Sequence, residues 1–323
     1  MALRVAVLGA SGFGRHHAKW YAQLGCEVVA FLGSSPRSVA ATGAALEQAF
    51  GFRGRGYTSL AELLAAERPD AVSVCTPPPL HGEHVLAALE AGSSVLCEKP
   101  FVWNPDASGG VLAAEARRLV ELAEQKGLVL SVNTQYVAAA EPYRHLAPAA
   151  VAAPSRFYGQ MTSKSRPNGR QGRDLCLDLM PHPISFLLAL LPDAELRLGS
   201  VRARVEDEAT KAHFEVETSG RVCSATLEVA HLHEGPFPRR FGFGDSIADV
   251  TVAPDAEGVY RGCVRVGDAE RVCDDFMKTS VERFCGAVRG EGAPLVGARA
   301  ALRGIELLLA MLEQAGAAAG GTG

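Results

Sequence analysis

Over the first ~135 positions the apolar residues fall into short blocks, each followed by a stretch with helical spacing. Leu3, Val5, Ala6, Val7 and Leu8 run into glycines at 9, 12 and 14. That order reads as a buried strand, a tight turn and a helix start. Ala18, Tyr21 and Ala22 continue the helical spacing, and Gly25 stops it. The same reasoning predicts strands at 27–32, 71–75, 95–97 and 128–132, with helices at 36–50, 60–66, 81–91 and 106–126. Prolines 77, 78 and 79 end the third strand, and 51–56 reads as a loop. Strands alternating with helices make βαβ units, and right-handed crossovers wind them into a doubly wound parallel sheet.

Beyond about Tyr136 the rhythm changes. An alanine- and proline-rich linker or hinge helix spans 138–154. Alternating runs follow at 156–162, 198–205, 212–218 and 222–231, with further strand-like pieces over 247–266. They predict a large, mostly antiparallel sheet, interrupted by a helix near 175–191. Two helices close the chain, 275–289 and 298–314. The second carries Leu302, Ile305, Leu308, Leu309 and Leu312 on one stripe. Residues 315–323 read as a frayed tail. The expected fold class is α/β: a Rossmann-type domain over 1–135, then an α+β domain over 136–323.

Composition narrows the function classes. A formal charge of −4, from 32 basic and 36 acidic residues in 323, favours neither nucleic acid nor an anionic membrane. No apolar run approaches the ~18 residues that span a bilayer. The first strand starts within a few residues of Met1, which leaves no room for a signal peptide. The eight cysteines are scattered, with no C-x-x-C, so they read as free thiols in a reducing compartment. The expectation is a cytoplasmic protein.

The glycine turn approximates the dinucleotide fingerprint G-x-G-x-x-G, with Gly9 first, Ser11 in the second place and Gly14 third. Gly12 supplies backbone freedom next to Ser11, and Phe13 completes the turn. A helix start with bare N–H groups holds phosphate; the alternative is an ordinary glycine-rich βα turn. After the second strand the chain reads FLGSSPR, with no Asp or Glu from Val28 through Ala45. A carboxylate there would select NAD by gripping the ribose hydroxyl, whereas arginine accommodates a 2′-phosphate. Ser34, Ser35 and Arg37 therefore predict NADP, with NAD as the alternative cofactor. Ser34-Ser35-Pro36 also reads as a helix cap with proline in the first turn.

The third and fourth strands end in CTPPPLHGEH and LCEKP, at the sheet edge where open α/β folds bind ligands. With VLGASGFGRHH and the later LDLMPHPI, these stretches resemble the glucose-fructose oxidoreductase / inositol dehydrogenase (Gfo/Idh/MocA) family. The match is specific over about 130 residues and thinner beyond. The resemblance implies that Lys99 of EKP lies beside nicotinamide and substrate, and that a D-x-x-x-H motif, Asp178 and His182, supplies the catalytic histidine. It places Thr76, Pro77, His81 and Glu98 near the cofactor, and Asn133, Gln135 and Tyr136 toward substrate or nicotinamide. It implies hydride transfer at a secondary alcohol or ketone of a sugar, cyclitol or related polyhydroxy compound. It also implies a homodimer or homotetramer through the second-domain sheet. Two rivals share the fold: an NAD-dependent glycoside-cleaving enzyme, and a non-catalytic dinucleotide-binding regulator.

The chemistry beneath the resemblance is elementary. A proton acceptor with a pKa near 7 must serve the alcohol, which suits His182. The Lys99 ammonium stabilises alkoxide character. Asp178 fixes a substrate hydroxyl or the histidine, since residues four apart share a helix face. Pro181 and Pro183 flank His182, however, and predict a helix break there with a fresh start near 183; a histidine satisfied beside a kink is the plainer reading. Two positions depart from the family pattern: Ser185 ends the extended motif where an aspartate is common, and Gln135 stands where an arginine is common. His17 reads as weakly cofactor-adjacent, and His16 and His84 as packing or solvent residues. His213, His231 and His233 lie on predicted strands without matched ligand spacing, so no metal is expected.

Overall fold

The computed structural model describes residues 2–165 and 169–320, and the chain divides into two compact units. The first is Met1–Asn133 with Met277–Leu302; the second is Thr134–Phe276 with Arg303–Gly323.

The first unit holds a six-stranded parallel sheet. Its strands are β1 (Arg4–Leu8), β2 (Glu27–Leu32), β3 (Arg55–Tyr57), β4 (Ala71–Val74), β5 (Ser94–Glu98) and β6 (Leu130–Asn133). Their order, β3-β2-β1-β4-β5-β6, is that of a Rossmann-type sheet. Helices α1 (Gly14–Gln23), α2 (Pro36–Phe50), α3 (Leu60–Glu67), α4 (His81–Glu90) and α5 (Gly109–Gln125) make the crossovers. β1, β4 and β5 are buried almost throughout, as strands covered on both faces must be. The short β3 overlaps the end of the stretch read as a loop, 51–56; its residues RGY carry too little apolar pattern to announce a strand.

The second unit holds an eight-stranded sheet in the order β14-β13-β12-β11-β7-β10-β9-β8. Its strands are β7 (Arg156–Lys164), β8 (Glu195–Val205), β9 (Ala209–Thr218), β10 (Arg221–Leu232), β11 (Arg239–Phe243), β12 (Ser246–Pro254), β13 (Tyr260–Val266) and β14 (Ala269–Asp274). All neighbours are antiparallel except β7 with β10. The linker becomes a 3-10 turn (Gln135–Ala139), α6 (Ala140–Leu146) and α7 (Pro148–Ala152).

The expected helix near 175–191 is two: α8 (Arg173–Leu179) and α9 (Pro181–Leu190). The break falls at Met180. Pro181 and Pro183 occupy the first turn of α9, where missing N–H groups cost nothing. Met180 itself keeps helical angles (φ −59°, ψ −34°), so the hydrogen-bond ladder is interrupted while the backbone holds its course.

Two boundaries differ from the sequence reading. The penultimate helix, α10 (Phe276–Val288), was expected in the second domain. Its Met277, Val281, Phe284 and Cys285 instead complete the first unit's core with Leu3, Val5, Val28 and Phe31. The last helix, α11 (Ala298–Gly320), continues through 315–320, which had read as tail; 321–323 lie outside the described residues. Alanine is the strongest helix former, so the alanine run extends the helix. No helix among the described residues is long and apolar enough to cross a membrane.

Candidate active site

In the first unit the glycine turn is shaped by close approach. Gly9 has φ +85°, and a Cβ there would stand 2.7 Å from the Cys75 carbonyl oxygen. A Cβ on Gly14 would stand 2.6 Å from the Gly9 carbonyl oxygen and 3.0 Å from Cys75 Cβ. Both positions exclude a side chain, one for the turn and one for packing helix on strand. Gly12 differs, because a Cβ there meets nothing within 4 Å. Ser11, Gly12 and Phe13 are exposed, and the Phe13 ring lies 5.8 Å from that of His16.

The helix starts differ in a way that bears on anions. Ser35, Ser59 and Ser108 accept hydrogen bonds from the first turns of α2, α3 and α5. At α1 the capping position is Phe13, with no side-chain cap. The Arg15 and His16 N–H groups turn back to the Gly12 and Phe13 carbonyl oxygens, at 3.2 and 2.9 Å, so what this start offers an anion is the exposed turn before it and the macrodipole, which favours negative charge there. This turn, at the carboxyl ends of parallel strands, fits a dinucleotide's diphosphate. At the end of β2, Ser35 and Ser38 form a reciprocal capping box, with Ser38 N donating to Ser35 Oγ at 3.2 Å and Ser35 N to Ser38 Oγ at 3.0 Å. The helix-cap reading thus holds for Ser35. Ser34 and Arg37 are exposed at the same edge.

Behind Lys99 lies a buried polar network that sequence reasoning missed. His17, fully buried on α1, meets Ser73 Oγ through Nδ1 at 2.8 Å and Glu98 Oε1 through Nε2 at 2.9 Å. Asn133 Nδ2 donates to Glu98 Oε1 at 2.5 Å, and Ser280 Oγ of α10 donates to Asn133 Oδ1 at 2.8 Å. Burial alone would depress the His17 pKa. The adjacent Cys75 sulfur and the Glu98 carboxylate outweigh it and hold the imidazole at about 10. Burial likewise disfavours the Glu98 carboxylate, yet His17, Asn133 and Lys99 bring its pKa below the usual value. The pair is a buried ion pair. Asn133, expected toward substrate, and Glu98, expected toward cofactor, both direct their side chains into this network. The available signals were His17 one turn into α1 and a polar Ser73 inside an otherwise apolar strand.

His81 is buried, with Nδ1 2.7 Å from the Pro100 carbonyl oxygen and Nε2 2.8 Å from that of Thr76. It ties the end of β4 to the segment just after Lys99. Desolvation holds its pKa below the usual histidine value. Thr76 Oγ1 lies 3.0 Å from His84 Nδ1, and Pro77 is exposed beside it. Lys99 itself is half-buried.

In the second unit, His182 is buried in the first turn of α9. Tyr136 meets its ring edge-on, with centroids 5.1 Å apart at 83°. Phe276 and Phe241 pack around Tyr136 at 5.9 and 6.3 Å, and the Arg239 guanidinium lies 5.4 Å from its ring centroid. Burial raises the Tyr136 pKa. α9 is pressed onto the sheet where Gly159 of β7 admits it, since a Cβ there would stand 2.9 Å from Pro183. Gln135, half-buried, opens the 3-10 turn that carries Tyr136. Asp178 pairs with Arg170, a partner that sequence reasoning did not name, and Ser185 is buried. His213 bonds Thr226 at 2.9 Å, and His233, beyond the end of β10, meets Glu208 at 3.0 Å.

Comparisons with known proteins meet this geometry. Residues 3–134 match the family model described as GFO_IDH_MocA, an oxidoreductase family with an NAD-binding Rossmann fold. Over that stretch the chain is similar to the Gfo/Idh/MocA family. D-glucoside 3-dehydrogenase of Escherichia coli K12 is 35% identical over 41% of this chain and 34% of its own length. UDP-N-acetylglucosamine 3-dehydrogenase of Acidithiobacillus ferrooxidans is 29% identical over 88% of each chain. A solved structure of that enzyme superposes with a TM-score of 0.75 at 23% identity, covering 98% of this chain and 99% of its own. A 3-ketoreductase from Actinomadura kijaniata, solved with NADP and TDP-benzene, gives 0.72 at 21% identity over 97% and 98%. These structural likenesses carry the fold. With E. coli D-glucoside 3-dehydrogenase the shared region is about a third of that relative's length.

Proposed function

We propose that the chain is an NAD(P)-dependent oxidoreductase acting on a secondary alcohol or ketone of a sugar, cyclitol or related polyhydroxy compound. The observation that carries the reading is the uncapped start of α1 behind Gly9 and Gly14, on the sheet edge that also bears Lys99. The names of the three proteins above, all 3-dehydrogenases or a 3-ketoreductase, support a ring carbon bearing a secondary hydroxyl.

In this reading the α1 start and the exposed Ser11–Phe13 turn hold the diphosphate. A bound nicotinamide supplies the hydride chemistry. The Lys99 ammonium stabilises negative charge on the substrate oxygen, and His81 fixes the segment that carries Lys99. His182 takes and returns the hydroxyl proton, with Tyr136 setting its ring orientation. Asp178, Gln135 and Tyr136 contact substrate. Ser34 and Arg37 favour NADP, because a guanidinium pairs with a 2′-phosphate in bidentate fashion. Assembly as a dimer or tetramer through the eight-stranded sheet, in the cytoplasm, belongs to the same proposal.

The test is a panel of polyols, sugars and sugar acids offered to the purified protein with each cofactor, followed by nicotinamide absorbance. Turnover with NADP exceeding that with NAD, and a preference weakened by Arg37→Ala, is expected. Absence of turnover across the panel despite cofactor binding would point to the regulatory reading. Product formed with no net cofactor reduction would point to glycoside cleavage.

A further inference from the structure

Cysteines 26 and 285 are 259 positions apart in the chain, yet their sulfurs lie 3.6 Å apart in the first unit. Cys26 follows Gly25 in the turn between α1 and β2, and Cys285 is on α10. A guanidinium nitrogen of Arg289, just past the end of α10 and four residues after Cys285, lies 3.8 Å from Cys26 Sγ. Cys26 also lines a surface cleft of about 510 Å³, with Arg4, Glu27, Phe52, Arg53 and Glu67 among its walls. Cys285 is 2% exposed. A thiol with a cation at its sulfur and a path from solvent is built to ionise and react. A second thiol in contact behind it is placed to resolve the product.

We propose that Cys26 and Cys285 are a redox-responsive pair, Cys26 the attacking thiol and Cys285 the resolving one, which closes to a reversible disulfide on exposure to hydrogen peroxide. This goes beyond the oxidoreductase reading and is independent of it. In the first step the Cys26 thiolate attacks one peroxide oxygen. An S–O bond forms, the O–O bond breaks, and hydroxide leaves and is protonated to water. The Cys285 sulfur then attacks the sulfenic sulfur of Cys26. The S–S bond forms, the S–O bond breaks, and hydroxide departs with the Cys285 proton as a second water. Two thiols are oxidised and one peroxide is reduced; a dithiol reverses the change by exchange.

The surroundings divide the two roles. The Cys285 hydrogen bond, and then Arg289, outweigh burial and hold the Cys26 pKa below the usual thiol value, while the same contact and burial push Cys285 up. Around the pair stand Arg289, with Glu282 on the Cys285 side and Arg4 and Glu27 in the cleft. Disulfide closure would staple α10 to the turn before β2. The same helix carries Ser280 onto Asn133 at its other end.

The folded full-length chain should be treated with a few equivalents of peroxide near neutral pH, its remaining thiols blocked with a maleimide, and the protein digested for mass spectrometry. The expected result is a cross-linked peptide joining Cys26 to Cys285 that dithiothreitol abolishes. In Cys285→Ser, Cys26 should instead be trapped as a dimedone adduct, and in Arg289→Gln cross-linking should slow several-fold. The wild-type experiment needs no variant to fold. Oxidation confined to the half-buried Cys75, Cys263 or Cys273, with Cys26 and Cys285 recovered as maleimide adducts, would overturn the proposal.

Discussion

His17 and His182 are both buried, one in each unit, and their surroundings are chemically opposed. His17 is enclosed by a hydroxyl, a carboxylate and an amide, and its charge is held by the Cys75 sulfur and the Glu98 carboxylate. His182 is met edge-on by Tyr136, itself packed among Phe241 and Phe276. A histidine held protonated to about pH 10 cannot exchange a proton with substrate near neutrality, so His17 is a structural cation. General acid–base work requires a group poised near the operating pH. Environment, not residue type, separates a fold-holding histidine from a candidate acid–base.

The comparison breaks or sharpens under substitution. The largest effect is expected at His182: His182→Ala should cut kcat by roughly 10²–10⁴-fold while the melting temperature stays close to wild type. Retained turnover would remove it from the chemistry. Glu98→Ala should act the other way, on the fold. Stranding a buried cation costs about 3–5 kcal/mol, measurable by denaturant unfolding, and a loss below 1 kcal/mol would mean that the pair is solvated. A third expectation concerns pH. Because the folded His17 pKa is raised from 6.5 to about 10, its contribution is fully present below pH 6.5 and is lost as pH climbs toward 10. The Glu98 pKa is depressed, so its contribution is present above the usual carboxylate pKa and is lost on acidification through its folded value. The melting temperature should therefore fall from pH 6.5 to 10, and Glu98→Gln should flatten that fall. The smallest effect is at the closed helix start: Ser35→Ala should cost about 1 kcal/mol of stability and leave the KM for cofactor unchanged.

The first unit was largely legible in the sequence because parallel strands buried on both faces are nearly continuous apolar runs. β2 and α2 begin and end where glycine, proline and serine predict. The second unit was legible in outline only. β11 reads RRFGF and β14 reads AERVCD; charges and a glycine mask the alternation, since strands with a solvent-facing side tolerate them. At the candidate site, the glycine turn, Lys99 and His182 stand out because each is tied to a strand end or a proline break. Asp178 and His182 stand on consecutive helices with Met180 between them in helical geometry, so their four-residue spacing outlasts the interrupted ladder, and Arg170 is a partner of Asp178 that the sequence did not announce. The His17–Glu98–Asn133–Ser280 network was not legible. Its members come from α1, β5, β6 and α10, elements that only tertiary packing brings together; a polar Ser73 in an apolar strand and His17 on α1 hint at buried polar partners but do not say which residues meet.

The first unit borrows Met277–Leu302 from the far end of the chain. A ribosome that has released only the opening 135 residues has therefore not yet supplied Val281 and Phe284, and the nascent sheet waits with that part of its core bare. Synthesis must run past residue 302 before this unit can seal, and a gene trimmed after its sixth strand encodes a fragment with an open, sticky flank in place of a portable nucleotide-binding module.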